Sequence, residues 1–387
     1  MATEINALEY KRRDGSIDCI RGLCVINVIL LHISVHLPLD TYPSALGQLL
    51  PHRLFNIIFK SGYYGVIIFF VISGFLITST SLKRWGYLHN ISYKQFYWIR
   101  FARIAPSLLA LLLILSIFHI NGVEGFVLHN TSLAQALFAA ITFHINWLEL
   151  QINAHLPAGW DLLWSLSIEE MFYIFFPLVC LFIRNKFTFI FVMLIFIILG
   201  PFARTVFSAN DTWSDHSYLS CMDGIAIGCL AALFASRVIS ENSRLLKYLL
   251  WIGLLMFSMV FFFRKQTYDI GLTPLGLNVT ILELSIAFLL IVLNKNRIQL
   301  PGLKYISNFF QWFGKNSYEV YLTHMFVELP LFGTFYLVQK SSILTSLWCL
   351  LIVVLCGLLG HVIAKYYSEP MNRVLRNKSQ HMTASKK

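Results

Sequence analysis

Eleven apolar stretches alternate with short polar segments along the chain: roughly 19–36, 62–80, 104–120, 132–148, 164–183, 187–205, 218–236, 248–263, 276–293, 317–337 and 343–364. Each approaches the ~20 apolar residues that a helix needs to cross a bilayer. Within them the apolar positions run on all sides of the helix, as lipid-facing and bundle-buried helices require. The first stretch starts near Cys19 behind a polar leader, with no small-residue cleavage site after it. It is expected to stay in place as a membrane helix.

The basic residues fall between these stretches in clusters: Lys11-Arg12-Arg13; Lys83-Arg84 with Lys94, Arg100 and Arg103; Arg184 with Lys186; Arg237, Arg244 and Lys247; Lys295, Arg297, Lys304 and Lys315; and Lys365, Arg373, Arg376 and Lys378. Basic clusters mark the cytoplasmic side. Alternation from an inside N-terminus works until 132–148. Its flanks, 121–131 and 149–163, contain no Lys or Arg, but do contain Glu124, His129, Glu149, His155 and Asp161. Segment 132–148 is therefore expected to be re-entrant or interfacial, with both flanks outside. The predicted fold is an all-α integral membrane protein: a bundle of about ten transmembrane helices, with both termini cytoplasmic. Arg264-Lys265 and Lys340 are basic exceptions on the outer side. A membrane domain is expected over 1–376, and a polar, disordered cytoplasmic tail over 377–387.

Composition agrees. Of 387 residues, 57% are hydrophobic and 13% charged, against about 25% charged in soluble domains. The net charge of +11 follows from cytoplasmic basic loops and needs no nucleic-acid partner. The seven cysteines lie in or at the edges of apolar runs without metal-ligand spacing. No metal site is expected from them, and they read as small packing residues.

Ionisable residues inside spans are costly and mark a site by default. Arg21 and His32 are eleven residues apart, close to three helical turns, so they share one stripe about 16 Å apart along the axis. His36 is one turn beyond His32. Imidazole exchanges protons near neutral pH, which fits His32 as a general base. Arg100 and Arg103 share a helix face; a phosphate site and ordinary cytoplasmic anchoring both fit the spacing. In Trp164–Tyr173 the adjacent Glu169 and Glu170 cannot both face lipid. In the late span, Tyr321 and His324 share a face, either as site residues or as helix glue.

These elements, in this order, resemble the acyltransferase type 3 family of bacterial integral membrane proteins. The resemblance rests on Ile17–Leu23 followed by His32; Gly65–Ile77, which includes Ser73; Arg100–Pro106 with its paired arginines; Trp164–Tyr173; Asn316–His324; and Ser368-Glu369-Pro370. Ile67 and Glu319 depart from the usual pattern of these motifs. The resemblance implies an enzyme of the bacterial cell (inner) membrane. It would move an acyl group, usually acetyl from acetyl-CoA, to a hydroxyl of a polysaccharide, a glycolipid or a secreted metabolite. On that reading acyl-CoA is a co-substrate, no cofactor is permanently bound, and the CoA phosphates rest on Arg100 and Arg103. His32 activates the acceptor, with Glu169 orienting it and Arg21 on the same stripe. His36, Tyr321, His324 and Ser73 are the expected acceptor contacts. A transporter or flippase of a polar or glycolipid substrate, with the same residues lining its path, is the alternative; an inactive receptor or scaffold is a third.

Overall fold

The computed structural model describes residues 15–39, 46, 49–183, 185–206, 211–237, 244–295 and 304–384. The basic residues Lys11, Arg12, Arg13, Arg184 and Arg297 lie outside the described residues, as do the last three residues of the chain.

Every element among the described residues is helical. In chain order they are α1 (Gly15–His36), α2 (His52–Phe59), α3 (Gly62–Trp85), α4 (Tyr93–Ile120), α5 (Leu133–Ile141), α6 (Ile145–Ile152), α7 (Ala158–Asp161), α8 (Leu163–Phe182), α9 (Lys186–Val206), α10 (Asp211–His216), α11 (Tyr218–Arg237), α12 (Arg244–Phe262), α13 (Arg264–Asp269), α14 (Leu277–Lys295), α15 (Lys304–Lys315), α16 (Ser317–Thr323), α17 (Met325–Phe332), α18 (Ser342–Ile363) and α19 (Glu369–Ala384). Among the described residues, nine helices are long and apolar enough to cross a bilayer. The expected span 317–337 forms the shorter helices α16 and α17, which meet at His324 and are not among these nine. A π-helical turn, Ala364–Ser368, joins α18 to α19, so the terminal helix runs past residue 376.

The stretch 132–148 forms α5 and α6, each too short to cross. Ser132 starts α5 with a capping box: its hydroxyl accepts from the Gln135 N–H while the Gln135 side chain accepts from the Ser132 N–H, which satisfies two otherwise orphaned donors. Phe143, at φ 58°, breaks the path between the two helices.

Close backbone approach sets the bundle. A Cβ on Gly74 of α3 would lie 2.0 Å from the Ile225 carbonyl oxygen of α11, and one on Gly228 of α11 would lie 2.1 Å from the Val71 carbonyl oxygen of α3. The same reciprocal arrangement joins α1 to α15 through Gly22 and Gly314. Small residues at crossings let helices gain packing contact where lipid supplies no hydrophobic drive. Buried side chains then divide into two cores. The larger, with Phe70, Phe75, Trp160, Phe176 and Leu282, lies among α3, α8, α11 and α14. The smaller, with Ile29, Ile33, Phe55, Phe313 and Cys356, packs α1 against α2, α15 and α18. The polar residues described next run along the side of α1 that these cores leave between them.

One of the outer basic exceptions is accounted for. The Arg264 guanidinium lies over the Tyr64 ring, 5.0 Å from its centroid, and donates to the Ser61 hydroxyl at the start of α3. It is a packed tether, not a free loop charge.

Candidate active site

The residues singled out from the sequence gather at two ends of α1. At the start of α1, Arg21 pairs with Asp18 at 3.9 Å. Arg100 of α4 stacks on Tyr173 of α8, its guanidinium carbon 3.7 Å from the ring centroid. The Tyr173 hydroxyl donates to Glu169, and so does Ser73 of α3. The charges of Arg100 and Arg103 both reach Glu170, and those of Arg103 and Arg21 both reach Glu319. Three arginines from α1 and α4 thus face carboxylates from α8 and α16. Ser368, in the π-helical turn, closes this end by bonding Ser107 of α4 at 2.8 Å.

The other end of α1 carries imidazoles. The His32 ring lies 5.1 Å from His324 and 6.3 Å from His36, centroid to centroid. His324 is fully buried. Its Nδ1 donates to the Tyr321 carbonyl at 2.7 Å, while its Nε2 is buried without a hydrogen bond. A nitrogen bonded to a carbonyl must carry the proton, so in the neutral ring Nε2 presents its lone pair. His36 donates from Nδ1 to the His32 carbonyl at 2.9 Å and stacks on Phe332 at 5.0 Å. The Tyr321 hydroxyl is engaged with Ser165 at 2.7 Å and with the Leu162 carbonyl at 3.2 Å, docking the late helix against α8.

His32, His36, Tyr321 and His324 therefore come together, as do Arg21, Arg100, Arg103, Glu169 and Ser73. The pairing of Glu169 with His32 is not formed: Glu169 is bonded to Ser73 and Tyr173 at the arginine end. Glu169 closes the second turn of α8 and faces the arginine end, whereas His32 lies one turn before the end of α1 at His36. Ser73, expected beside the acceptor, goes with it. The carboxylate whose charge reaches His32 is Asp161, at the end of α7. Its sequence signal was one of two acids in a flank without basic residues, and nothing local shows that its charge reaches His32.

Two further polar groups are buried in the bundle: Glu328, an ionisable residue of the late span already visible in the sequence, and Arg204, which the sequence did not single out. Glu328, one turn past His324, is fully buried with neither carboxylate oxygen hydrogen-bonded. Arg204 of α9 binds Asp223 of α11 at 2.6 Å, Thr280 of α14 at 2.7 Å and the Gly276 carbonyl at 3.1 Å. That guanidinium is saturated by protein groups, and it reads as a brace among three helices.

Polar residues of opposite character thus gather at two levels along α1, in a helical bundle with nine described helices long and apolar enough to cross a bilayer, which fits a multi-pass membrane protein. A family model described as an acyltransferase domain matches residues 14–364, and the chain belongs to that acyltransferase family. It is similar to the peptidoglycan O-acetyltransferase OatA of Listeria monocytogenes, 31% identical over 168 residues, which is 42% of this chain and 23% of the relative. It is also similar to a putative O-acetyltransferase of Staphylococcus aureus (strain COL), 34% identical over 126 residues, 30% and 20% of the two chains. The O-acetyltransferase OatA of Staphylococcus aureus (strain NCTC 8325) is 28% identical over 176 residues, 44% and 25% of the two chains. The matched stretch spans about a quarter or less of these relatives. No solved structure matches the chain.

Proposed function

We propose that this protein transfers an acetyl group from cytoplasmic acyl-CoA to a hydroxyl of a carbohydrate-containing acceptor on the far side of a bacterial inner membrane, with both of its termini in the cytoplasm. The observation that carries the reading is the separation of two site halves along one helix. Arginines gather around Arg21, and imidazoles around His32, about 16 Å further along α1. The names of the similar O-acetyltransferases supply the acyl group and the class of acceptor.

The CoA phosphates would sit at Arg100 and Arg103, where planar guanidiniums can hold two oxygens at once. The pantetheine arm would run along α1 and bring the thioester to the histidine end. A ring nitrogen of His32 takes the proton of the acceptor hydroxyl as that oxygen attacks the thioester carbonyl. The tetrahedral intermediate collapses with cleavage of the C–S bond. The departing thiolate recovers the proton from the imidazolium, so the products are acetylated acceptor and free CoA thiol. Asp161 is placed to stabilise the imidazolium, the role first assigned to Glu169. His324, behind His32, supports it through an unengaged Nε2.

In a transporter or flippase the same inward polar residues would line a substrate path. Radiolabelled acetyl-CoA given to proteoliposomes separates the two readings. A transferase moves label to the acceptor covalently and is inactivated by His32→Ala; a transporter moves the acceptor without labelling it.

A further inference from the structure

Glu149 of α6, His155 in the following loop, Asp161 of α7 and His216 of α10 each offer one donor atom to a common cluster. These four atoms all lie within 4.8 Å of one another. We infer that Glu149, His155, Asp161 and His216 form a binding site for a divalent transition-metal ion of the zinc class, at the outer end of the bundle.

The donor chemistry selects the ion. Two imidazoles with two carboxylates suit zinc and its neighbours, whereas calcium and magnesium prefer all-oxygen shells. The spacing is close to what such an ion needs. His216 Nδ1 lies 3.2 Å from Glu149 Oε2, and His155 Nδ1 lies 3.3 Å from Asp161 Oδ1. Metal–ligand bonds of about 2.0–2.1 Å in a tetrahedron put ligands roughly 3.3–3.4 Å apart. Two of the tetrahedron's edges are therefore already at length, and the two pairs need only close on each other.

Outer contacts hold the donors in place, as they do around metal ligands generally. The Leu156 N–H binds Glu149 Oε1 at 3.1 Å, which leaves Oε2 facing the imidazole. The His216 ring lies flat on Trp164, 3.9 Å between centroids and 7° between planes. Asn146 donates to the His216 carbonyl at 3.1 Å and anchors the start of the loop after it. Glu149, Asn146 and His216 are buried, while the His155 side chain keeps 57% of its exposure. That gives the ion an entry path and a last ligand to close it.

Charge balance points the same way. Glu149 is fully buried and lies beside Asp161, and the segment 149–163 contains no Lys or Arg. Two adjacent carboxylates in an apolar rim need a cation or a shared proton. One divalent ion neutralises both and uses every imidazole present. Asp161 belongs to this set and also reaches His32, so the ion would sit on the acceptor side of the site. The inference rests on the ligand geometry and does not require the acetyl-transfer reading.

The test is metal content and coordination, not activity. The full chain is purified in detergent, stripped with a chelator, reloaded with zinc at micromolar free concentration and desalted before elemental analysis. A cobalt-loaded sample is read for the visible absorption of a tetrahedral site. About one zinc per chain is expected for the wild type, with His216→Ala and Glu149→Gln losing it. Because those two residues are buried, His155→Ala and Asp161→Asn serve as variants nearer the surface, checked for an unchanged elution profile. Each should weaken zinc binding at least about tenfold, the smaller loss typical even of outer partners. Substoichiometric zinc in the intact wild type, with no cobalt spectrum, would overturn the proposal in favour of a shared proton. So would full zinc retention in the His155→Ala, Asp161→Asn double variant.

Discussion

His32 and His324 face each other with ring centroids 5.1 Å apart, one from the first helix and one from the joint of α16 and α17. The mutual approach of Gly22 and Gly314 presses α1 against α15, the helix that leads into α16. The Tyr321 hydroxyl ties α16 to α8 through Ser165. The two rings are unequal. His324 is sealed in the bundle with Nδ1 committed to a carbonyl, while His32 retains partial exposure. In the proposed reaction His32 meets the substrate and His324 backs it.

Removing the backing ring should slow the reaction without removing the base. His324→Ala is expected to lower the turnover rate by less than the roughly 10²–10⁴-fold at stake for a general base, and to leave the KM for acyl-CoA unchanged. Steady-state kinetics on purified protein give both numbers. A loss equal to that of His32→Ala, or a change confined to the donor KM, would count against this division of labour.

The arginine end should govern the donor alone. Arg100→Lys and Arg103→Lys keep the charge, so the positive-inside orientation survives. They lose the planar fork, and Arg100 also loses its stack on Tyr173. A charge-assisted hydrogen bond is worth roughly 1.5–3 kcal/mol, or one to two decades in affinity. CoA binding should weaken by that order, more at half-buried Arg100 than at exposed Arg103, while the acceptor KM barely moves. Equal losses for both substrates would indicate damage to the fold.

The short helices α5 and α6 predict a topology. Single cysteines at Asn130 and Asn153 should both react with an impermeant thiol reagent added from outside, in a background lacking the native cysteines. Labelling of the two positions from opposite faces would mean that the segment crosses.

The helix crossings make a stability prediction. Gly74→Ala puts a methyl group against the Ile225 carbonyl oxygen at a distance no real Cβ tolerates, so α3 and α11 must separate. Overpacking of this kind costs roughly 1–3 kcal/mol or more. Gly333→Ala meets nothing nearer than 3.9 Å and should stay within about 0.5 kcal/mol. Thermal unfolding in detergent compares the two.

Features set by period and charge were readable in the sequence. The Arg21–His32 stripe needs only the helical repeat. The expectation that 132–148 does not cross came from flanks without Lys or Arg; the structure makes two short helices of it, with Phe143 at the break between them. What could not be read were pairings between distant segments. Glu169 sits in a motif beside a span start, and the motif alone does not say whether it faces His32 or Tyr173; the pitch of α8 turns it to Tyr173 and Ser73. Asp161 and Glu149 stand in a flank without Lys or Arg, and the sequence does not show that Glu149 is buried or that the Asp161 charge reaches His32. Arg204 stood at the end of an apolar run like any anchoring charge, and its partners come from two helices further along the chain.

The most direct test of the account is the rate of acetyl transfer by His32→Ala in membranes matched for expression and correct insertion. Radiolabelled acetyl-CoA is the donor, and label in the acceptor is the readout. The account predicts a fall of about 10²–10⁴-fold, with CoA binding unchanged, because the phosphates are held a bilayer half away at Arg100 and Arg103. Retention of more than half the wild-type rate would contradict it and move the base elsewhere, with His36 the next residue to examine.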